Sequence, residues 1–525
     1  MEARSPQRNL GMSRIGVLAT SMKCEVSSEA GRRVGNQLLK KNQKKQIFFV
    51  LWNNIFIFGI LFFMNDFNKY GVEIPKILLP KKGSDFKAWS VIACDQYTQD
   101  RDYWARCEKN AEGKPSCINL ILPEVYLNDA DKTERIAKIH KNMDEYVANG
   151  VFAPEEAEFV YIERKTAYGR VRKGLIVAID LETYEWKPFS KALVRATEAT
   201  IVDRIPPRME IRRGAPLESP HIMLLVNDAD KELVEKSGEL AKNAEPIYET
   251  DLMENSGSIK GYAIKEGAAL DCVKAALEKL YAKNTSADGS VFMFAVGDGN
   301  HSLATAKAVW DELKEKNGGV KKEDGTVSIP AGFENHNARF ALTEIVNIYD
   351  DGLTFEPIHR VLFNIDAKSL VSFMGEKLFG KTEIVATEEE LTKKVADSKA
   401  DFGFVYENKE TGKIEYALLK TEITDLAVSK LQPALDEFLK NAPMQHVCKG
   451  EVCQMVKPEI DYIHGTEEVF RLGGKDNGTS ILLPPIAKDS FFSTIANNGP
   501  LPRKSFSMGE ASEKRFYMEC RALFG

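Results

Sequence analysis

The chain has 525 residues, of which 43% are hydrophobic and 28% are charged. These proportions are typical of a soluble globular protein and exclude a disordered chain, a collagen-like fibre and a polytopic membrane protein. At about 100–200 residues per domain, the length predicts two to four domains.

Charge is distributed unevenly along the chain. Residues 1–46 contain ten Lys or Arg and three Asp or Glu, a net charge of +7, whereas the whole chain sums to −6, so the remainder carries −13. Because phosphate backbones are contacted mainly by Lys and Arg, an acidic body disfavours general nucleic-acid binding. The eight cysteines follow no disulfide or zinc-ligand spacing, which favours a reducing, cytoplasmic location.

The N-terminal region holds an apolar segment, IFFVLWNNIFIFGILFFM, at residues 47–64. Its 18 residues are a marginal length for a membrane span, which needs about 20, and two asparagines lie in its centre. If this segment spans a membrane, the chain is a single-pass membrane protein, and the preceding lysines would keep its N-terminus in the cytoplasm. Alternatively, residues 1–63 are upstream A/T-rich sequence read in frame, with Met64 as the natural start. In either case we expect residues 1–63 to lie outside the folded core.

The rest of the chain mixes helical and strand patterns. Apolar spacing predicts helices at 130–148, 229–243, 267–283, 367–379, 387–397, 426–440 and 488–497. Strand patterns lie at 159–166, 174–187, 221–226, 338–350, 355–365 and 480–483, with a hairpin over 401–420. Hairpins interspersed with helices favour an α+β fold with mixed sheets over a doubly wound parallel sheet. We divide it into a main domain over 64–365 and a C-terminal α+β region over 366–525.

The sharpest local motif is VGDGNHS at 296–302. An apolar strand delivers Asp298, Gly299, Asn300 and His301 to the start of an amphipathic helix that runs to about residue 316. The first turn of a helix has unpaired N–H groups and a positive dipole end, so the pattern predicts an anion site. The glycines would let backbone approach a ligand, and Asn300 or Ser302 could cap the helix. The plain alternative is a capped strand–helix turn, since caps use the same residue types.

A second polar segment, residues 195–220, shows little apolar periodicity and is typical of a functional loop. It contains Glu198, a candidate general base, among five arginines. Arginine forks suit phosphate and carboxylate groups, although a solvated, salt-bridged loop would have the same composition. The arginines that we assign to substrate or phosphate binding are Arg195, Arg208, Arg212 and Arg213. The strand pair His359-Arg360 is added to that set.

Several stretches together resemble the family called domain of unknown function 1015. They include WSVIACDQYT, RATEATIVDRIPPRMEIRRGAPLESP, VGDGNHSLATAK and the C-terminal RKSFSMGEASEKRFYMECR, and the likeness runs from about Ile74 to the C-terminus. The family is similar, more distantly, to the ParB-like superfamily that includes free-serine kinases with a DGHHR phosphate site. This chain has DGNHS at 298–302, so Asp298, Gly299 and His301 match that site, whereas Asn300 and Ser302 replace its first His and its Arg. Arg212, Arg213 or Arg360 would have to replace that arginine as a phosphate donor.

The resemblance implies a ParB-like catalytic part and a phosphotransferase or phosphohydrolase. Its substrate would be a small hydroxyl amino acid, serine or phosphoserine. In this interpretation Glu198 takes the hydroxyl proton, Asp298 holds Mg²⁺ or orients the nucleophile, and His301 holds the transferred phosphate. ADP or ATP would be the phosphate donor. Two alternatives stay open: a non-catalytic module for a small anionic metabolite, and a ParB-like nucleic-acid-binding protein.

Overall fold

The computed structural model describes residues 67–449, 452–475 and 478–524. The predictions for residues 1–63, including the apolar segment at 47–64, fall outside these ranges. Within them, no helix has both the length and the apolar character needed to cross a membrane.

The helices agree closely with the sequence periodicity. In chain order they are α1 (Phe86–Trp89), α2 (Arg101–Asn110), α3 (Lys132–Ala148), α4 (Ile205–Arg212), α5 (Ser237–Ala241), α6 (Gly267–Lys283), α7 (Asn300–Lys316), α8 (Ala367–Lys377), α9 (Glu388–Ala396), α10 (Ala427–Asn441), α11 (Thr466–Leu472) and α12 (Lys488–Asn498). The helix predicted at 229–243 begins with a π-helical turn, Glu232–Lys236, before α5.

Strands alternate with these helices along the chain. In chain order they are β1 (Val72–Glu73), β2 (Lys76–Ile77), β3 (Val91–Ile92), β4 (Glu156–Ala157), β5 (Phe159–Lys165), β6 (Val171–Asp180), β7 (Tyr184–Glu185), β8 (Val194–Ala196), β9 (Leu217–Glu218), β10 (Met223–Val226), β11 (Tyr248–Asp251), β12 (Ser258–Ile264), β13 (Phe294–Asp298), β14 (Phe340–Asn347), β15 (Phe355–Pro357), β16 (His359–Phe363), β17 (Lys381–Val385), β18 (Phe402–Asn408), β19 (Lys413–Lys420), β20 (Gln445–Lys449), β21 (Val452–Val456), β22 (Glu459–Ile463), β23 (Thr479–Leu482), β24 (Phe506–Met508), β25 (Phe516–Tyr517) and β26 (Arg521–Ala522).

The fold is α+β, as the mixture of hairpins and helices predicts. One sheet has the strand order β11-β12-β5-β6-β14-β10-β13-β8-β7, with β1 added beside β6. Its pairs are antiparallel except β10–β14, β13–β8 and β8–β7, which are parallel. A second sheet has the order β17-β19-β18-β23-β16-β22. Residues 67–525 group as one compact unit. The domain boundary at residue 365 stays a prediction from the sequence.

The C-terminal segment returns to the first sheet's side of the molecule. Strand β25 pairs with β3, β26 pairs with β9, and the indole N–H of Trp89 donates to the carbonyl of Met518 at 2.8 Å. These contacts join parts of the chain that are more than 300 residues apart. They place residues 503–517 against the segments that follow β3 and β9.

A buried charged network fixes this return. Glu344, which is fully buried, forms ion pairs with Arg172 at 3.1 Å and Arg515 at 3.5 Å, and Arg515 also pairs with Glu519 at 2.9 Å. Breaking a buried pair leaves an uncompensated charge, which costs about 3–5 kcal/mol. The network therefore holds the C-terminal segment in one position.

Two sequence expectations were wrong. Residues 195–220 are not wholly loop, because Ile205–Arg212 forms helix α4 with prolines at its first positions, where a missing N–H costs no hydrogen bond. The apolar spacing of the helix predicted at 130–148 also places Val147 on one face with Met143, but Val147 is 54% exposed because it lies in the last turn of α3.

Candidate functional site

A cleft of about 920 Å³ opens where β13 meets α7. Its walls come mainly from six parts of the chain: the turn at 297–302, helix α4 with the residues before it, the loop after β3 at 94–99, the segments at 120–128 and 215–221, and the C-terminal segment at 503–517. Ligand sites typically enclose about 300–1,000 Å³, so the volume suits a metabolite of moderate size.

The strand–turn–helix motif forms the floor of the cleft. Gly299 has φ of +78°, and a Cβ there would lie 3.1 Å from the Cα of Ile222, so the turn requires glycine for both conformation and space. Its N–H donates to Asp298 Oδ1 at 2.9 Å. The register of β13 against β10 shifts between Met223 and Leu224, and such bulges often re-aim residues beside active sites.

The expected helix caps are absent from this turn. No side chain caps α7; instead Asn300 accepts from the Thr197 N–H and donates to the Thr197 hydroxyl, both at 3.3 Å. The Asn300 amide therefore links the start of α7 to the end of β8. A capping side chain would instead have accepted a hydrogen bond from one of the first N–H groups of α7. Ser302 lines the cleft one residue further on.

Glu198 follows β8 and lines the same cleft as Asp298. Its Oε1 accepts from the Ser505 N–H at 3.4 Å. Burial, and then the negative charge of Asp298, raise the pKa of Glu198 above its usual value, although the Ser505 N–H opposes the rise. A carboxylate with a raised pKa is a better proton acceptor from a hydroxyl group.

His301 points its Nε2 at the Ile201 N–H, which donates to it at 3.3 Å. Burial, and then the neighbouring positive charges of Arg208, Arg204 and Arg503, lower the pKa of His301 to about 4. An imidazolium at His301 is therefore not expected to strengthen anion binding near pH 6 in the unliganded site. The neutral ring accepts a hydrogen bond, and the positive charge comes from the arginines.

The cations around His301 differ in how far they are already neutralised. Arg208 is held by Glu124, with Nε to Oε1 at 2.9 Å. Arg204, Arg503 and Lys504 are exposed, line the cleft and form no ion pair within the described ranges. These three side chains can therefore turn to an incoming anion without breaking an ion pair.

Two predicted arginines lie elsewhere. Arg195 is buried over the ring of Phe292 and donates from Nε to the carbonyl of Ala192 at 2.9 Å. Arg213 faces outward and pairs with Glu312 at 2.7 Å. Neither lines the cleft.

The strand pair His359-Arg360 is also outside the lining of the cleft. His359 is buried and its Nδ1 accepts from the Leu483 N–H at 3.1 Å, a structural role that ties β16 to the residue after β23. Arg360 is fully buried, donates to Gln432 at 3.1 Å and stacks on Tyr462. The arginines that surround His301 are Arg204, Arg208 and Arg503, so Arg213 and Arg360 do not replace the missing family arginine.

The structure adds a group that sequence reasoning missed. His221 lies between Asp95, with Nε2 to Oδ2 at 3.4 Å, and the hydroxyl of Tyr517, 2.8 Å from Nδ1. Burial alone would lower the pKa of His221, but the Asp95 carboxylate raises it well above its usual value. Lys514, which also lines the cleft, forms an ion pair with Asp298 at 3.3 Å. The sequence contains only an indirect signal for this group, because CDQYT and the C-terminal stretch both carry the family resemblance.

A magnesium ion would find limited support from the protein alone. The described residues contain no group of three or more His, Cys, Asp or Glu side chains arranged to hold a metal. Both oxygens of Asp298 already have partners, Gly299 N–H and Lys514. Mg²⁺ often binds through one or two carboxylates together with substrate phosphates, so the site fits an ion that arrives with a nucleotide, with Asp298 as its protein ligand.

Comparison with solved structures gave only weak likenesses. A free serine kinase in complex with AMP is 10% identical with a TM-score of 0.31, over 66% of this chain and 92% of that chain. A conserved hypothetical protein from Pyrococcus furiosus is 9% identical with a TM-score of 0.29, over 65% and 90%. SbnI from Staphylococcus aureus, with a C-terminal truncation, is 7% identical with a TM-score of 0.31, over 66% and 87%. Likenesses at these scores carry no conclusion about ligand or activity.

The search of curated proteins gave no match. The family comparison was decisive, since the model described as "Protein of unknown function (DUF1015)" matches residues 78–438, well over half of the chain. That range contains the motif at 296–302, α4 and the Asp95–His221 pair, which form most of the cleft. The chain therefore belongs to the DUF1015 family.

Proposed function

We propose that the cleft binds a phosphate-bearing small molecule and transfers or hydrolyses its phosphoryl group. The observation that carries this proposal is the convergence of a carboxyl group with a raised pKa, Glu198, on a helix start surrounded by unpaired cations. The substrate class that we infer from the DGNHS resemblance is a small hydroxyl compound such as serine, or its phosphate ester.

The phosphate would bind at the start of α7. The backbone N–H groups of Asn300, His301 and Ser302 have no acceptor inside the helix, because they belong to its first turn. The helix dipole favours an anion there, and Arg204 and Arg503 add mobile positive charge. Phosphoryl transfer depends mainly on positioning and charge stabilisation, which these groups supply.

Glu198 would act on the acceptor hydroxyl. In transfer, it accepts the proton as the hydroxyl oxygen attacks the donor's terminal phosphorus, and the P–O bond to the rest of the donor breaks with its electron pair on the leaving oxygen. In hydrolysis, it accepts a proton from the water that attacks phosphorus, while the P–O bond to the alcohol breaks and the alcohol oxygen takes up a proton. General-base catalysis of this kind contributes about 10²–10⁴-fold to rate. Mg²⁺, held by Asp298 and the phosphates, would neutralise part of the phosphate charge when bound.

The second candidate is a binding module that uses the same anion site without turnover. The full set of exposed cations around a neutral His301 serves binding as well as catalysis, and only Glu198 argues for chemistry. A ParB-like nucleic-acid-binding role has less support, because the −13 charge of residues 47–525 opposes a polyanion.

The test is a ligand screen followed by an activity assay on the same protein. Thermal shifts are measured with phosphate, phosphoserine, serine, ADP and ATP, with and without Mg²⁺; a ligand at 100 times its Kd stabilises by about 2.7 kcal/mol. Ligands that bind are then assayed for phosphate release or ADP formation. Turnover that disappears in Glu198→Gln supports the enzyme, binding without turnover supports the module, and no binding by any of them contradicts both.

A further inference from the structure

One end of the cleft has an apolar wall that the proposed chemistry does not use. The side chains that form it are buried or half-buried and come from several elements. Prominent among them are Leu120, Leu122, Met143, Ile211, Leu217 and Leu523. Serine and its phosphate have no apolar group large enough to cover such a wall.

Helix α4 shows how the two ends are arranged. Arg204 precedes it, Arg208 lies at its middle and Ile211 lies near its end, and all three line the cleft. At 1.5 Å of rise per residue, Arg204 and Ile211 are about 10 Å apart along the axis. The cleft is therefore cationic beside the start of α4 and apolar beside its end.

Contacts at the end of α4 fix the apolar part in place. The ring of His140 on α3 hydrogen-bonds the carbonyl of Ile211 at 2.8 Å, which brings Met143, one helical turn later, to the same wall. Arg212 is the cation at this end, and it is already paired with Glu218 at 2.5 Å. An apolar group placed here would meet no unpaired charge from these residues.

We propose that the natural ligand is an organic phosphate with an apolar body, bound with its phosphate at the start of α7 and its body along this wall. The inference rests on the anion site of the proposed function but not on turnover. The two surfaces are continuous along one helix, and the unpaired cations lie at one end only. Within the hydroxyl compounds and phosphate esters of the proposed function, this arrangement favours one with an apolar body over serine itself.

Isothermal calorimetry with a homologous series tests the inference. The probes are inorganic phosphate and methyl, butyl and hexyl phosphate, with AMP for comparison. Burial of one methylene is worth about 0.8 kcal/mol, so affinity is expected to rise about fourfold per added CH₂ until the wall is covered. A flat series with measurable phosphate binding overturns the inference and leaves the anion site intact. Absence of phosphate binding overturns both, and tight AMP binding with a flat alkyl series also overturns the apolar ligand.

A pair of variants on α4 locates the effect. Ile211→Gln places a polar group on the wall and is expected to remove the chain-length dependence while leaving inorganic phosphate binding within about twofold. Met209→Gln is the matched control, because Met209 is half-buried on the same helix but does not line the cleft. Equal slopes in both variants would contradict the placement, and the wild-type series remains decisive if Ile211→Gln does not fold.

Discussion

Gly299 gives the sharpest test of the turn before α7. At φ of +78° an L-residue costs roughly 1–2 kcal/mol. The added Cβ would also meet Ile222 at 3.1 Å from Cα and 3.2 Å from Cγ1, closer than ordinary contact. Valine is unsuitable because a β-branched residue is a genuine outlier in this region. Alanine and asparagine are better probes.

We expect Gly299→Ala to lose at least about 1–2 kcal/mol of unfolding free energy and at least tenfold in phosphate affinity. Tenfold corresponds to about 1.4 kcal/mol, close to the value of one charge-assisted hydrogen bond lost when the first-turn N–H groups are re-aimed. Gly299→Asn keeps the Cβ, but asparagine tolerates this backbone conformation, so its stability loss should be smaller. A loss of phosphate affinity in both variants would indicate that the added Cβ blocks the approach of phosphate. A loss in Gly299→Ala alone would indicate that the turn is displaced.

Gly267 provides a matched control. It starts α6 with φ of +72°, and a Cβ there would have nothing within 4 Å. Gly267→Ala therefore carries a similar backbone cost without the contact and outside the cleft. Stability is measured by urea unfolding and affinity by calorimetry with inorganic phosphate. Wild-type affinity in both Gly299 variants, with both folded, would show that the motif is only a structural turn.

Four further outcomes are expected. Glu198→Gln should lower turnover about 100-fold or more in a phosphate-release or ADP-formation assay, with phosphate binding retained. NMR titration should find His301 neutral down to about pH 4 in the free protein, with phosphate raising its pKa, while His221 stays protonated through neutral pH. Burial lowers the pKa of His359 to about 4, so stability should be full above pH 6.5 and fall by roughly 3 kcal/mol as pH falls toward 4. Glu344→Ala should lose about 3–5 kcal/mol in urea unfolding, because two buried arginines lose their counter-charge.

The turnover prediction and the titration predictions each have a contrary result, and a Glu344→Ala protein as stable as the wild type would contradict the role given to the buried network. Unchanged turnover in Glu198→Gln would show that Glu198 is not the general base. A His301 that titrates near pH 6.5 would show that the neighbouring arginines do not lower its pKa. Asp95→Asn is the control for His221, whose pKa should fall when the carboxylate is lost. His359→Gln should flatten the acid transition, and an unchanged transition would assign it to other groups.

Local pattern predicted the elements well because helix and strand periodicity depends on near neighbours. The helix expected at 267–283 is Gly267–Lys283, and VGDGNHS is a strand, a glycine turn and a helix start. The arginine segment was misread because its prolines suggest a loop, whereas proline at the first position of a helix costs little. Glu198, Asp298 and His301, to which the resemblance assigns roles in one mechanism, line one cleft.

The parts that could not be predicted depend on contacts distant in sequence. Arg503, Lys514 and Tyr517 reach the cleft only because β25 pairs with β3, a pairing that leaves no local periodic signal. The pairing of Asp95 with His221 depends on the same return of the chain. Burial of Arg360 is equally invisible in the sequence, since a strand with a basic pair can turn either residue outward.

The return of the C-terminal segment also couples the site to the stability of the fold. Residues 503–517 supply one wall of the cleft, and the same segment carries Arg515, which is buried against Glu344 and Glu519. A change that releases β25 from β3 or β26 from β9 would therefore open the cleft on one side and disturb a buried ion-pair network at the same time. A loss of ligand binding would then report that the C-terminal segment has detached.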